Sequence, residues 1–260
     1  MGALHAGHAA LVARARAECR TVVASLFVNP LQFGPGEDFD RYPRAFDSDV
    51  AALQAGGVDI VYAPDVATMY PPGFATSVDP GDVGERYEGT LRPGHFRGVA
   101  TVCVKLFATV GCERAYFGAK DAQQVAVIHR VIEDLNLPVE LIVVATVREP
   151  DGLALSSRNV YLDATQRDAA PALHRALDAV VRAVTQGETD RERAVAAGRA
   201  ALAGPLREAY LDVVDPVTFV ARPHIDPAGL AIASAWLGAT RLIDNEPVDV
   251  PARAAREIAR

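Results

Sequence analysis

The amino-acid sequence predicts an α/β protein: a parallel sheet with helices on both faces, followed by a small C-terminal α+β domain. Three observations predict this. Residues 21–28 (TVVASLFV), 58–63 (VDIVYA) and 138–147 (PVELIVVATV) are apolar runs rich in β-branched residues, as strands buried on both faces are. Segments of helical periodicity separate them. Past Asn159 the composition turns Ala/Arg-rich and helical, then breaks into short strands.

Taken in order, residues 8–19 have the spacing of a helix and 21–28 that of a strand stopped by Asn29-Pro30. A Gly/Pro/Asp-rich loop covers 29–43, and a helix over 44–55 ends at Gly56-Gly57. The second strand, 58–63, precedes an irregular stretch to residue 97. A helix over 98–110, a short strand at 114–117, a helix over 120–135 and the strand at 138–147 complete the first domain, set at residues 1–148. In the second domain, 149–260, residues 163–204 read as helical and 209–214, 230–236 and 241–248 as strands. Ligands of parallel sheets bind at the carboxyl ends of the strands. There lie Asn29 to Gln32, Gly118 to Asp121 and Arg148 to Arg158.

Bulk properties narrow the function. A formal net charge of −7 over 260 residues argues against nucleic acid as a partner. No apolar run is long enough to span a membrane, and residues 1–8 lack the pattern of a signal peptide. Cys19, Cys103 and Cys112 have no metal-ligand spacing and read as small core residues, in keeping with a reducing cytoplasm.

Four motifs carry chemistry. His5-Ala6-Gly7-His8 opens a helix, where free amides and the helix dipole favour phosphate. Both imidazoles can donate to a phosphate oxygen, or they can cap the helix. Asn29 and Gln32 offer neutral donors and acceptors suited to a hydroxyl or carboxylate, or they belong to an ordinary loop. Lys120 follows Gly118-Ala119 and precedes Asp121. Of 26 basic residues, all but Lys105 and Lys120 are arginine, so a lysine here implies a need for a compact point charge. Ser156-Ser157-Arg158, with Asn159, sets two hydroxyls and a guanidinium in one loop at a domain junction, fit to grip a polyphosphate or to form a polar turn into the second domain. His129 and His174 read as structural.

In this order and spacing the motifs resemble the pantothenate synthetase family, within the HxGH nucleotidyltransferases. The resemblance also takes in Arg41-Tyr42-Pro43-Arg44, Arg92-Pro93-Gly94-His95-Phe96, Gln123-Gln124, Val147-Arg148-Glu149 and Thr240 to Asn245. It is dense over residues 1–162 and thin over 163–235. It implies ATP-dependent condensation of pantoate with β-alanine through an acyl-adenylate, with Mg²⁺, in a cytoplasmic homodimer whose small domain closes over the site.

By position, the resemblance assigns Met1, Gly2, Ala3, Leu4, His5, Ala6, Gly7 and His8 to ATP, with His8 as proton donor. Gly118, Ala119, Lys120, Asp121, Val147, Leu155, Ser156, Ser157 and Arg158 complete the ATP site. Gln32, Gln124, Asn29 and Arg92 fall to substrate, and Asp49 to metal. Ala119 stands where the family usually has Glu, and Asp47-Ser48-Asp49 where it commonly has an acidic run. The resemblance implies a Rossmann-like first domain, and because Met1 falls inside the first motif, the first strand of that sheet is expected to be missing here. The alternatives are another HxGH adenylyltransferase and an inactive relic.

Overall fold

A computed structural model describes residues 2–202 and 204–251. The chain divides into two compact units, Met1–Ala119 with Gln123–Val147, and Lys120–Ala122 with Arg148–Arg260. The short stretch around Lys120 therefore groups with the C-terminal part of the chain.

In the first unit the described elements are α1 (Ala6–Glu18), β1 (Val23–Ser25), α2 (Phe46–Ala55), β2 (Ile60–Tyr62), α3 (Val66–Met69), α4 (Glu88–Leu91), α5 (His95–Val110), β3 (Arg114–Gly118), most of α6 (Ala122–Asp134) and β4 (Glu140–Val144). Both strand pairings are parallel: β1 with β2, from Val23 opposite Ile60, and β3 with β4, from Arg114 opposite Glu140. The expected single sheet is thus two separate pairs among the described residues. A sheet is continuous only where neighbouring edges exchange N–H···O=C bonds, and no ladder joins β1 to β3.

Val12 of α1, Ala24, Leu26 and Leu53 of α2 form one core cluster. On α5, Phe96, Val99, Ala100, Cys103 and Phe107 face inward at helical spacing. Cys103 is buried as expected, but Cys19 and Cys112 are only partly covered. Each lies just past a helix end, Cys19 as the C-cap of α1 and Cys112 after the Gly111 cap of α5.

Gly98 of α5 meets the turn after β1. A Cβ on it would lie 2.2 Å from the Leu31 carbonyl oxygen. That neighbour is backbone and cannot swing aside. Gly98→Ala is expected to cost about 1–3 kcal/mol, as overpacking does, and to shift the Asn29–Gln32 turn. Urea denaturation checks the first effect; an unchanged midpoint would overturn it.

The second unit holds α7 (Ala164–Ala169), α8 (Ala172–Thr185), α9 (Arg191–Ala201) and the antiparallel sheet β5 (Arg207–Val214), β6 (Ala228–Leu237) and β7 (Thr240–Asp249), in that order. Leu173, Leu177, Val180 and Val184 make one stripe of α8, packed with Leu211, Ala233, Leu237 and Val248 of the sheet. The long helical stretch read from the sequence is three helices, since Pro171 and the Gly187–Asp190 turn interrupt it.

Candidate active site

The first unit carries the histidine motif. Gly7 N donates to His5 Nδ1 at 3.1 Å, and His5 N donates to His8 Nδ1 at 3.3 Å. The two histidines form a reciprocal cap on α1. Capping and phosphate binding are compatible, because a ring that accepts at Nδ1 carries its proton, when neutral, on Nε2. Both rings are therefore set as Nε2–H donors, with centroids 4.2 Å apart. A Cβ on Gly7 would sit 2.8 Å from His5 Cε1, so this glycine leaves room for the ring. Met1 lies outside the described residues.

Asp49, expected to hold metal, is buried on α2. Its oxygens accept from the Ala3 and Leu4 amides at 2.9 and 2.8 Å. It holds the segment that leads into His5. No group of three or more His, Cys, Asp or Glu that could hold a metal ion occurs among the described residues.

Gln32 ends a 3-10 turn, Pro30–Gln32, capped by Asn29. Asn29 is 3% exposed, and all its polar atoms are used. Its Oδ1 accepts from Leu31 N at 3.2 Å and Tyr70 Oη at 2.7 Å; its Nδ2 donates to Gly98 O at 3.1 Å and Gln32 Oε1 at 3.2 Å. The last bond engages the Gln32 side chain through Oε1.

Arg92, also expected at substrate, is committed to the same turn. It pairs with Glu37 through Nε–Oε1 (2.8 Å) and Nη2–Oε2 (2.5 Å), donates to Gln32 O at 3.1 Å, and meets His95 Nε2 at 3.0 Å. His95 Nδ1 donates to Gln32 O at 2.8 Å. Burial, then the Arg92 charge, lowers the His95 pKa to about 4, so the ring is neutral near pH 7. Glu37 and His95 had no assigned role in the sequence. The signal was their spacing around Arg92 and Gln32, which only the fold brings together.

Of the glutamine pair on α6, Gln123 is structural. Its Oε1 accepts from Glu88 N at 3.1 Å, and its Nε2 donates to Val83 O and Arg86 O at 2.9 and 2.7 Å. Gln124 is partly exposed beside it. Gly118 ends β3, Ala119 opens a 3-10 turn, and Val147 closes the first unit's last stretch.

The second unit carries the other candidates. Lys120 and Asp121 lie in the 3-10 turn Ala119–Asp121, with Lys120 Nζ 3.6 Å from Asp121 Oδ1. Leu155 leads to Ser156, whose Oγ accepts from Arg158 N at 3.2 Å and caps a turn over Ser157–Tyr161. Lys120 and Ser156 line one small open hollow, with Asn159, His174, Arg241 and Asp244. Asn159 Oδ1 and His174 Nδ1 are buried there without a hydrogen-bond partner among the described residues.

Beneath the hollow lies a charge cluster absent from the expectations. Arg148 makes a bidentate pair with Asp244 at 2.6 and 3.0 Å and reaches Glu246 at 2.6 Å. Burial opposes charge on Asp244, yet His174 and Arg148 hold its pKa below the ordinary carboxylate value. His174 Nδ1 faces Asp244 at 3.6 Å and Glu246 at 3.7 Å, and its Nε2 faces Asp178 at 3.8 Å. These contacts are too long for hydrogen bonds and act through charge.

Asp244, ahead of Asp178, raises the His174 pKa above 6.5, although burial and Arg148 oppose the shift. A group raised on folding stabilises fully below its unfolded pKa, and that contribution is lost as pH rises through the folded value. The second unit should therefore melt lower at about pH 8 than at about pH 6, and His174→Gln should flatten that difference. Thermal scans of both proteins check it; parallel pH profiles would overturn it.

A family model described as pantoate-beta-alanine ligase matches residues 1–247. The pantothenate synthetase of Chloroflexus aurantiacus is 54% identical over 248 residues, which is 94% of this chain and 88% of that protein. That of Thermobifida fusca is 49% identical over 259 residues, 95% and 87% of the two chains. A crystal structure of pantothenate synthetase from Thermus thermophilus superposes with a TM-score of 0.91 at 50% identity, covering 95% of this chain and 90% of that one. The ligase from Francisella tularensis, complexed with beta-gamma ATP and beta-alanine, gives 0.77 at 30% identity over 95% and 86%.

Proposed function

Because the chain belongs to the pantoate-β-alanine ligase family, we propose that it condenses pantoate with β-alanine at the expense of ATP. The pantoate carboxylate attacks the α-phosphorus and pyrophosphate leaves. The β-alanine amine then attacks the acyl carbon of the adenylate, loses a proton, and AMP departs. No protein nucleophile is required. The work is orientation and the stabilisation of charge on phosphate oxygens.

Each residue type suits a part of that work. His5 and His8, set as Nε2–H donors by their cap, serve the phosphates, with His8 as proton donor. Lys120, Ser156, Ser157 and Arg158 supply the remaining cationic and hydroxyl donors. Gly2, Ala3, Leu4, Ala6, Gly7, Gly118, Ala119, Asp121, Val147 and Leu155 complete the nucleotide's surroundings. Gln32 contacts both pantoate and β-alanine and Gln124 holds pantoate, while Asn29 and Arg92 act by fixing the Gln32 turn. The observation that carries the reading is the cap-set histidine pair in a chain matching the family over residues 1–247.

Asp49 is engaged by the Ala3 and Leu4 amides, and the described residues bring together no group of three metal-ligating side chains. Mg²⁺ enters as the counter-ion of ATP. A homodimer in the cytoplasm is the proposed setting, and three cysteines outside any disulfide accord with a reducing compartment. The test is to incubate the protein with ATP, Mg²⁺, pantoate and β-alanine and follow AMP. Release that requires both acids is expected. AMP formed without them would sink the ligase reading, and no turnover would favour the relic.

A further inference from the structure

We infer that Asn245 is a positioning residue for Lys120, acting through the lysine's main chain rather than touching substrate. The inference rests on the phosphate role proposed for Lys120. Asn245 lies on β7 and is 8% exposed, and its Nδ2 donates to Lys120 O at 2.8 Å across 125 positions of sequence. The residues on either side of Lys120–Ala122 belong to the other unit, so within its own unit this stretch relies on such bonds for placement.

The strand explains why one asparagine can do this. Successive side chains on a strand point to opposite faces. Asp244 and Glu246 both grip Arg148, while Asn245 between them is turned the other way, to the lysine's turn. The same strand steadies Asn245 from its backbone: Asn245 N donates to Asp244 Oδ1 at 2.8 Å, and Arg148 Nη2 donates to Asn245 O at 3.3 Å. Arg148 also donates to Gly152 O at 3.1 Å and bridges to Ala154, at the root of the Ser156–Arg158 loop. Three consecutive residues of β7 thus anchor both phosphate-gripping pieces of this unit, Lys120 and the serine loop.

A misplacement of about 1 Å at a reacting centre costs on the order of a hundredfold in rate. Asn245→Ala should therefore lower the single-turnover rate of pantoate-dependent pyrophosphate release by about tenfold to a hundredfold, with KM for β-alanine unchanged. Asn245→Asp keeps the shape, removes the N–H donor and sets oxygen against oxygen; it should show a similar loss, and it carries the test if the alanine variant does not fold. In a Lys120→Ala background, either Asn245 change should cost nothing further, because the group it positions is gone. A merely structural role would multiply the two losses.

Wild-type rates for Asn245→Asp, or multiplied losses in the double variant, would overturn the inference alone. Normal rates for Lys120→Ala would instead overturn the phosphate role, and this inference with it.

Discussion

Replacing Lys120 with alanine is expected to slow pantoate-dependent release of pyrophosphate by about a hundredfold or more, the loss seen when one donor to developing charge is removed, while the melting temperature stays unchanged. The side chain is 18% exposed and contributes nothing to the core cluster of its unit. The bond that ties this stretch to β7 is made by the Lys120 carbonyl, which alanine retains. Function and stability therefore separate at this position. Lys120→Arg should recover only part of the rate, because a planar fork does not place its charge where a compact ammonium does. Rapid-quench measurement of pyrophosphate checks both variants, and a near-normal rate for alanine would rule out the phosphate role.

The second large effect is on stability. Arg148→Met should destabilise the C-terminal unit by about 3–5 kcal/mol, the cost of stripping the partner from a buried charge. Asp244 has a side chain only 3% exposed, and Arg148 supplies two of its hydrogen bonds. Without the guanidinium, that carboxylate keeps, among the described residues, its own strand's amide and the more distant His174. Trp236, the chain's one tryptophan, sits on β6 of the same sheet and reports unfolding by fluorescence. Adding Asp244→Asn should restore part of the loss, since no unpaired charge then remains. A loss below about 1 kcal/mol for Arg148→Met would show that the pair behaves like a surface ion pair.

Local chemistry was readable along the chain. The α8 stripe of Leu173, Leu177, Val180 and Val184 repeats at the helical period, and burial follows from that spacing alone. The histidine cap joins residues three apart, so both of its readings could be stated beforehand; the cap forms, and it is compatible with the phosphate reading. Asn29 and Arg92 were less transparent. Sequence reasoning sent Asn29 to substrate as a polar residue near a strand end, and Arg92 through the family resemblance. Their atoms are instead engaged by Gly98, Tyr70 and Glu37, the last 55 positions from Arg92.

By itself, then, the sequence determined the alternation of strands and helices, the family, and the ordered set of candidate residues for phosphate and substrate. These depend on periodicity, caps and short motifs, which act over a few residues. Only the tertiary structure decided that the parallel strands form two pairs among the described residues, that Asp49 holds the entry to α1, and that Lys120 joins the C-terminal unit through Asn245. The pairs Arg148–Asp244 and Lys120–Asn245 span 96 and 125 positions. Which residues meet across such distances is set by the register of β7, where a shift of one residue would exchange Asn245 for its charged neighbours.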